Sequence, residues 1–263
     1  MSKKIYFASD FHLGLDADKT SLERERLIVD WLEEISSDAK AIYLVGDVFD
    51  FWYEYNAVIP KGYNRLFGKL AELRDRDIPI YFFTGNHDMW MFRYFEEEFG
   101  IPIYRKPIIE EFFGRKYMIG HGDGLGPGDH GYKFIKRIFS NGMCQWLFAL
   151  VHPNIGVWLM KYFSQRSRKS SRDEIYHGAD KEWLIQYGER KLKEEDIDVF
   201  VFGHRHLPIQ HRLSDGKSIY INLGDWIKYY SYAVLDEEGI TLKYLNDANQ
   251  VTYGNIADTT DKL

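Results

Sequence analysis

Short apolar runs that stop abruptly at small residues followed by an acid, an amide or a histidine limit this chain's folding choices more than any other feature. Five such strings occur in order: Ser9-Asp10-Phe11-His12, Gly46-Asp47, Gly85-Asn86-His87-Asp88, Gly120-His121-Gly122-Asp123 and Gly203-His204-Arg205-His206. A run of four to six apolar residues reads as a buried strand. In open α/β sheets ligands gather outside the carboxyl ends of the strands. The strings are scattered along the sequence, but such a sheet would bring them to one rim.

The segments between the strings support this reading. Residues 4–8, 41–45 and 79–84 read as strands. A helix over 21–36 has Leu22, Leu27, Ile28, Trp31, Leu32 and Ile35 at helical spacing, and another covers about 62–76. Strand, helix, strand, helix, strand implies right-handed crossovers and a largely parallel sheet. Residues 116–120 and 198–202 repeat the pattern. Runs 207–213, 218–223, 231–236 and 239–245 read as short antiparallel strands joined by turns such as Asp215-Gly216 and Glu238-Gly239. The expected fold is α/β, with two packed mixed β-sheets flanked by helices. Its core is 1–124 and 196–246, with a helical lid insertion at 125–195 and a polar tail at 247–263. Within the insertion, helices are expected near 131–140, 143–151, 155–164 and 178–194.

Asp10, His12, Asp47, Asn86, His121, His204 and His206 form a mixed oxygen and nitrogen set, which suits Mn²⁺, Fe²⁺ or Zn²⁺ better than Ca²⁺. Seven ligands are too many for one six-coordinate ion and right for two divalent ions sharing a carboxylate. Asp47, ending a central strand, is the natural bridge. One ion would take Asp10, His12 and His206, and the other Asn86, His121 and His204. His87 is placed to stabilise developing charge or protonate a leaving oxygen, and Asp88 to orient it. Asp123 is either a similar orienter or a turn residue. Taken singly, each residue reads as a capping aspartate or a satisfied core histidine; the combination favours metal. Gly46, Gly85, Gly120 and Gly203 are expected to let the backbone turn and to keep bulk out of a crowded site. Gly122 to Gly128 reads as a hinge, and neither a phosphate-cradling P-loop nor a Gly-x-Ser-x-Gly elbow is present.

The net charge of −6 argues against general nucleic-acid binding. Yet eight Lys/Arg stand against three acids between Leu125 and Gly178, so one anionic partner approached from one side is expected there. Cys144 is the single cysteine, which excludes an intrachain disulfide and suits a reducing compartment. Too few apolar residues precede Asp10 for a signal peptide, and the apolar stretch Trp146–Phe163 is interrupted by His152-Pro153-Asn154. A cytoplasmic protein is expected, with contact at a membrane surface left open.

The order of the strings resembles the calcineurin-like metallophosphoesterases. Within them the chain is most similar to the UDP-2,3-diacylglucosamine pyrophosphatases of lipid A biosynthesis, over approximately residues 4–245. The likeness rests on Ser9-Asp10-Phe11-His12-Leu13-Gly14, on Val45-Gly46-Asp47-Val48-Phe49-Asp50-Phe51-Trp52 and on Leu223-Gly224-Asp225-Trp226. The resemblance implies a hydrolase with two divalent ions, Mn²⁺ foremost, that cleaves the diphosphate of a nucleotide-linked lipid. It also implies substrate contacts from Asp129, Tyr132, Arg168, Ser171 and Arg172. Trp146, Phe148, Trp158, Leu159 and Phe163 would wall in acyl chains, and the lid would dock peripherally on the inner face of the cell membrane. No obligate protein partner is evident. Two departures bear on the substrate: His87 stands where many members have Arg, and Gly126-Pro127-Gly128-Asp129 replaces a Cys-Thr-Asp-Asp string. The alternatives are a related hydrolase of another lipid or nucleotide diphosphate, and a non-catalytic module built on the same metal fold.

Overall fold

The computed structural model describes residues 3–126, 130–170, 175–246 and 250–256. Strand β1 (Lys4–Ala8), helix α1 (Ser21–Ile35), β2 (Ala39–Val45), α2 (Asn64–Asp75) and β3 (Ile80–Phe83) alternate as expected. They are followed by α3 (Tyr94–Phe99), β4 (Ile103–Tyr104), β5 (Ile108–Phe112) and β6 (Arg115–Gly120). Helices α4 (His130–Phe139), α5 (Gly142–Ala149), α6 (Pro153–Ser170) and α7 (Trp183–Lys191) lead to β7 (Val199–Phe202). The last strands are β8 (Pro208–Arg212), β9 (Ile219–Leu223), β10 (Ser231–Asp236) and β11 (Gly239–Tyr244).

Two mixed sheets result. The first runs β11-β10-β1-β2-β3-β4 and the second β5-β6-β7-β9-β8. β1 to β4 are parallel neighbours, as are β6, β7 and β9. The four C-terminal strands are not one antiparallel set. β8 joins β9 in the second sheet, whereas β10 crosses to pair antiparallel with β1 in the first.

Alternation along each strand explains why the runs are apolar throughout. Ile5, Phe7, Tyr43 and Val45 face Val199, Val201, Ile219 and Ile221 between the sheets. Tyr6, Ala8, Ile42 and Leu44 point the other way, against Ile28, Trp31, Leu32 and Leu70 of α1 and α2. Phe200, Phe202 and Tyr220 cover the outer face of the second sheet with Leu184 and Ile185 of α7. A strand buried on both faces has no polar position to spare, and each fully buried Phe, Leu or Ile contributes about 1.5–3 kcal/mol. Because α7 packs in this outer layer, the stretch 183–191 of the expected 125–195 insertion is part of the sandwich.

Local chemistry sets the helix starts. Thr20 caps α1 in a reciprocal box with Glu23. From the middle of α1, buried Glu25 accepts hydrogen bonds from Arg65 and Leu66 N–H, giving α2 an anionic cap. Arg24, also buried, donates to the His12 and Leu15 carbonyls and so braces the loop after β1.

Helices α4 to α6 rest on an aromatic platform of Phe51, Tyr53 and Trp90, which follow the Asp47 and Asn86 strings. Trp90 Nε1 donates to the Phe139 carbonyl at 2.7 Å and Tyr53 Oη to the Gln145 carbonyl at 2.6 Å. Phe148, expected among acyl-chain walls, instead packs inward on this platform, with rings 4.6 Å from Trp90 and 4.8 Å from Tyr53. Leu159 is half-buried, while Trp146 and Trp158 remain more than 60% exposed (61% and 65%). The side chain of Phe163 lies outside the described residues. Among the described residues no helix is long and apolar enough to cross a membrane.

Candidate metal centre

All five strings meet where the two sheets abut, at the carboxyl ends of β1, β2, β3, β6 and β7. Asp10 Oδ1 lies 3.2 Å from His206 Nε2 and 3.7 Å from His12 Nε2, and the two imidazole nitrogens are 3.1 Å apart. A second group holds Asp47, His121 and His204, and a third holds His12, Asp47 and His87. His121 Nε2 lies 3.3 Å from Asp47 Oδ2 and 3.4 Å from Asn86 Oδ1. Asp47 Oδ2 is also 3.8 Å from His12 Nε2, so one carboxylate oxygen stands between the first two groups. Asp47 Oδ1 accepts the His87 N–H at 2.8 Å.

Backbone geometry marks the same residues. Asp10, His12, Asp47, His204 and His206 all adopt left-handed φ, between 46° and 71°. Such conformations cost about 1–3 kcal/mol each for residues with a side chain and cluster at functional sites. Of the four flanking glycines, only Gly46 has positive φ, at 86°. At Gly85 the need is space: a Cβ there would overlap the Asp47 carboxylate. The sharp turns are thus made mostly by the candidate ligands themselves, not by the glycines before them.

Three histidines are held alike. His121 Nδ1 is 2.9 Å from the Val45 carbonyl, His12 Nδ1 is 3.5 Å from Asp50 Oδ1, and His206 Nδ1 is 3.6 Å from Asp225 Oδ2. Each ring turns Nδ1 outward to an oxygen and Nε2 inward, as metal-ligating histidines do. Asp225 is held in turn by the N–H groups of Ile227, Lys228 and Tyr229. Neither Asp50 nor Asp225 was expected as a site residue. The signals for them were their places in the Asp47 string and the Leu223-Gly224-Asp225-Trp226 string.

One expected role changes, and one open alternative is decided. Asp88 does not orient His87. Its buried carboxylate accepts from Gly85, Val48 and Phe49 N–H, stapling the Asn86 loop to the Asp47 loop. Burial and the neighbouring Asp47 charge push its carboxyl up. The group beside His87 is Asp50, whose carbonyl is 2.9 Å and Oδ1 3.6 Å from Nδ1. Asp123 sits in a turn and binds Lys136 Nζ of α4 at 2.5 Å. Although burial opposes it, His121 and Lys136 hold the Asp123 carboxyl low. Asp129, Ser171 and Arg172 lie outside the described residues. Tyr132 and Arg168 fall in α4 and α6, with their side chains likewise outside.

The donor set fits divalent cations. Asp10 Oδ1 is buried and accepts no well-formed hydrogen bond from the protein, an expensive arrangement unless a cation pairs with it. Against the cost of burial, His206 and His12 keep Asp10 well below the usual carboxylate range, and His121 does the same for Asp47. Burial pushes His204 down to about 4, leaving a neutral imidazole ready to coordinate. Burial works the same way on His121, but Asp47 outweighs it and raises that imidazole to about 10.

This sets a pH dependence. Between about 6.5 and 10 the bare cluster keeps a proton on His121 that an incoming ion must displace. The stabilisation of the bare protein by that protonated pair is full below about 6.5 and lost as pH rises through about 10. Metal uptake should therefore release about one proton and tighten by up to about tenfold per pH unit in that window. Calorimetric titration with Mn²⁺ in buffers of different ionisation enthalpy measures the release; uptake without proton release would refute the assignment.

Comparison with known proteins finds relatives along nearly the whole chain. The family model for calcineurin-like phosphoesterases matches residues 3–208. A UDP-2,3-diacylglucosamine hydrolase of Porphyromonas gingivalis is 38% identical, covering 94% of this chain and 99% of its own. The enzyme of that name from a Shewanella species is 26% identical over 92% and 97%. Among solved structures, the Escherichia coli phosphoesterase Yfce superposes with a TM-score of 0.48 at 18% identity, covering 93% of this chain and 94% of its own.

Proposed function

The chain belongs to the calcineurin-like phosphoesterases, and from that premise we propose that it hydrolyses the diphosphate of UDP-2,3-diacylglucosamine. The products are UMP and 2,3-diacylglucosamine 1-phosphate. The observation that carries the substrate is the 38% identity, over nearly the full length of both chains, to a hydrolase named for it.

In this reading Asp10, His12 and His206 would hold one divalent ion, Asn86, His121 and His204 would hold the other, and Asp47 would serve both. Mn²⁺ is the preferred metal. Such a pair supplies a hydroxide at neutral pH and a clamp for the phosphoryl oxygens. The chain's own part is to aim and to balance charge. Val45, Asp50 and Asp225 fix the imidazole orientations, so the ligand nitrogens converge without reorganisation. His87 is partly exposed beside the His12 ring, with centroids 4.8 Å apart and planes perpendicular. With Nδ1 turned to Asp50, proton transfer to the leaving oxygen falls to Nε2.

The insertion serves the lipid. Met143, Trp146, Leu150, Ile155 and Trp158 of α5, α6 and their connection are exposed apolar side chains, and the basic string Arg166 to Arg172 follows them. Exposed apolar side chains followed in the sequence by a basic string suit peripheral docking on the cytoplasmic leaflet. Asp129, Tyr132, Arg168, Ser171 and Arg172 would contact the substrate.

Incubation of the Mn²⁺-loaded protein with UDP-2,3-diacylglucosamine, followed by mass analysis, should yield UMP and the diacylated sugar phosphate. Cleavage of simple phosphodiesters without UMP release would move the substrate to another lipid or nucleotide diphosphate, the reading that His87 in place of Arg favours. No metal-dependent turnover of any phosphoester would favour the non-catalytic module.

A further inference from the structure

Between His204 and His206 stands a residue that no metal chemistry requires. Arg205 is 7% exposed, and its guanidinium meets the carboxylate of Glu182, itself 1% exposed, in a two-pronged pair. Nε donates to Oε2 at 2.7 Å and Nη2 to Oε1 at 2.8 Å. Glu182 is the residue just before α7, where the chain returns from the helical insertion to the sandwich. A buried ion pair is a poor device for stability alone, because desolvation consumes most of its attraction. A bidentate guanidinium–carboxylate contact, however, fixes direction as well as distance.

The neighbours of Glu182 show what is being directed. Trp183 sets its ring against His204 in a T-shaped contact, with centroids 5.6 Å apart at 74°. A Cβ at Gly126 would lie 2.8 Å from the Trp183 ring, and one at Gly122 would lie 2.9 Å from Leu184. The start of α7 is therefore wedged against the loop that follows His121 as well as the loop that carries His204. His206, by contrast, is held from the β9–β10 connection through Asp225. Both His204 and His206 are left-handed, at φ 71° and 53°, so the loop between them needs an external brace.

We propose that Glu182 and Arg205 are positioning residues for one half of the metal centre. Through Trp183 they hold His204, and with it the ion shared by Asn86 and His121, in register with the junction between insertion and sandwich. The inference rests on the two-ion reading above. It assigns the two ions unequal dependence on this junction: the Asn86–His121–His204 ion leans on it through a ligand side chain, and the Asp10–His12–His206 ion meets it only through the His204 N–H bond to Asp10.

The test is calorimetric titration of metal-stripped protein with Mn²⁺, with electron paramagnetic resonance to count isolated and spin-coupled ions. Arg205→Lys keeps the buried charge but loses the fork. The double variant Glu182→Leu/Arg205→Met removes both charges and guards against failure to fold; thermal unfolding checks both. In each, one ion should bind about 10- to 100-fold more weakly, the usual cost of losing an outer-shell partner, while the other keeps its wild-type affinity. Asn86→Ala removes a ligand from the weakened side, so adding Arg205→Lys to it should leave the remaining ion unchanged. Equal weakening of both ions, or of neither, would overturn the proposal while leaving the two-ion reading intact. A wild-type chain that takes up fewer than two ions would overturn that reading and this inference together.

Discussion

Asp47→Ala should lower metal-dependent phosphodiester hydrolysis at least about 10³-fold, a loss of roughly 4 kcal/mol of transition-state stabilisation. The expectation follows from where its two oxygens sit. Oδ2 lies 3.3 Å from His121 Nε2 and 3.8 Å from His12 Nε2, while Oδ1 accepts the His87 N–H. Alanine removes the shared ligand, leaves the His121–His204 side of the cluster without its carboxylate, and releases the loop that presents His87. Mn²⁺ stoichiometry should fall below two, while circular dichroism stays that of the parent because the surrounding strands are held by apolar burial. A variant that kept both ions and more than a tenth of the parent rate would remove Asp47 from the bridging position.

His87→Ala should separate chemistry from metal binding. His87 lies outside the Asp10–His12–His206 and Asp47–His121–His204 groups, although it forms a further group with His12 and Asp47, and its Nδ1 faces Asp50. Removing a proton-transferring imidazole costs about 10²–10⁴ in kcat. Two Mn²⁺ should still bind, with affinities close to those of the parent. The discriminating measurement compares leaving groups. Esters of acidic phenols, which need little protonation, should suffer much less than alkyl esters. An equal loss on both would make His87 a charge stabiliser, and loss of an ion would make it a ligand.

The parts of the fold most legible from sequence were those in which both faces of a strand are buried. β1, β2, β3, β6 and β7 admit polar residues only in their first two positions, so their apolar runs and ends stand out. β5 is different: half exposed against β6, it carries Glu110 and Glu111 among its apolar residues. β4 has two residues and α3 has six, three of them Glu, too little for any period to emerge. The C-terminal strands were recognisable one by one, but their partners were not. Nothing local to 231–236 says that its neighbour is β1, more than two hundred residues earlier.

The site divided along similar lines. The residues whose side chains converge were visible because Asp, Asn and His at strand ends are chemically specific. Those that act through another residue were hidden. Asp50 lies three positions after Asp47 and reads as part of an aromatic run, yet it faces both His12 and His87. Asp88 adjoins His87 in sequence but turns its carboxylate away, toward backbone N–H groups of the neighbouring loop. In the insertion, the sequence marked a helix near 143–151 without telling which side meets protein. Phe148 faces the Trp90 platform and Trp146 faces out, a distinction that requires the partner surface.

The contact between His12 and His206 spans 194 positions, and the hydrogen bond from His204 N–H to Asp10 spans as many. A ribosome finishes Asp10 and His12 long before it reaches the residues that complete their coordination sphere. Until then, the early donors can hold an ion only weakly and from one side. Tight binding of both ions would therefore require that the two halves of the polypeptide have found each other. A truncated or misthreaded product would lack part of the ligand set and with it the two-ion chemistry.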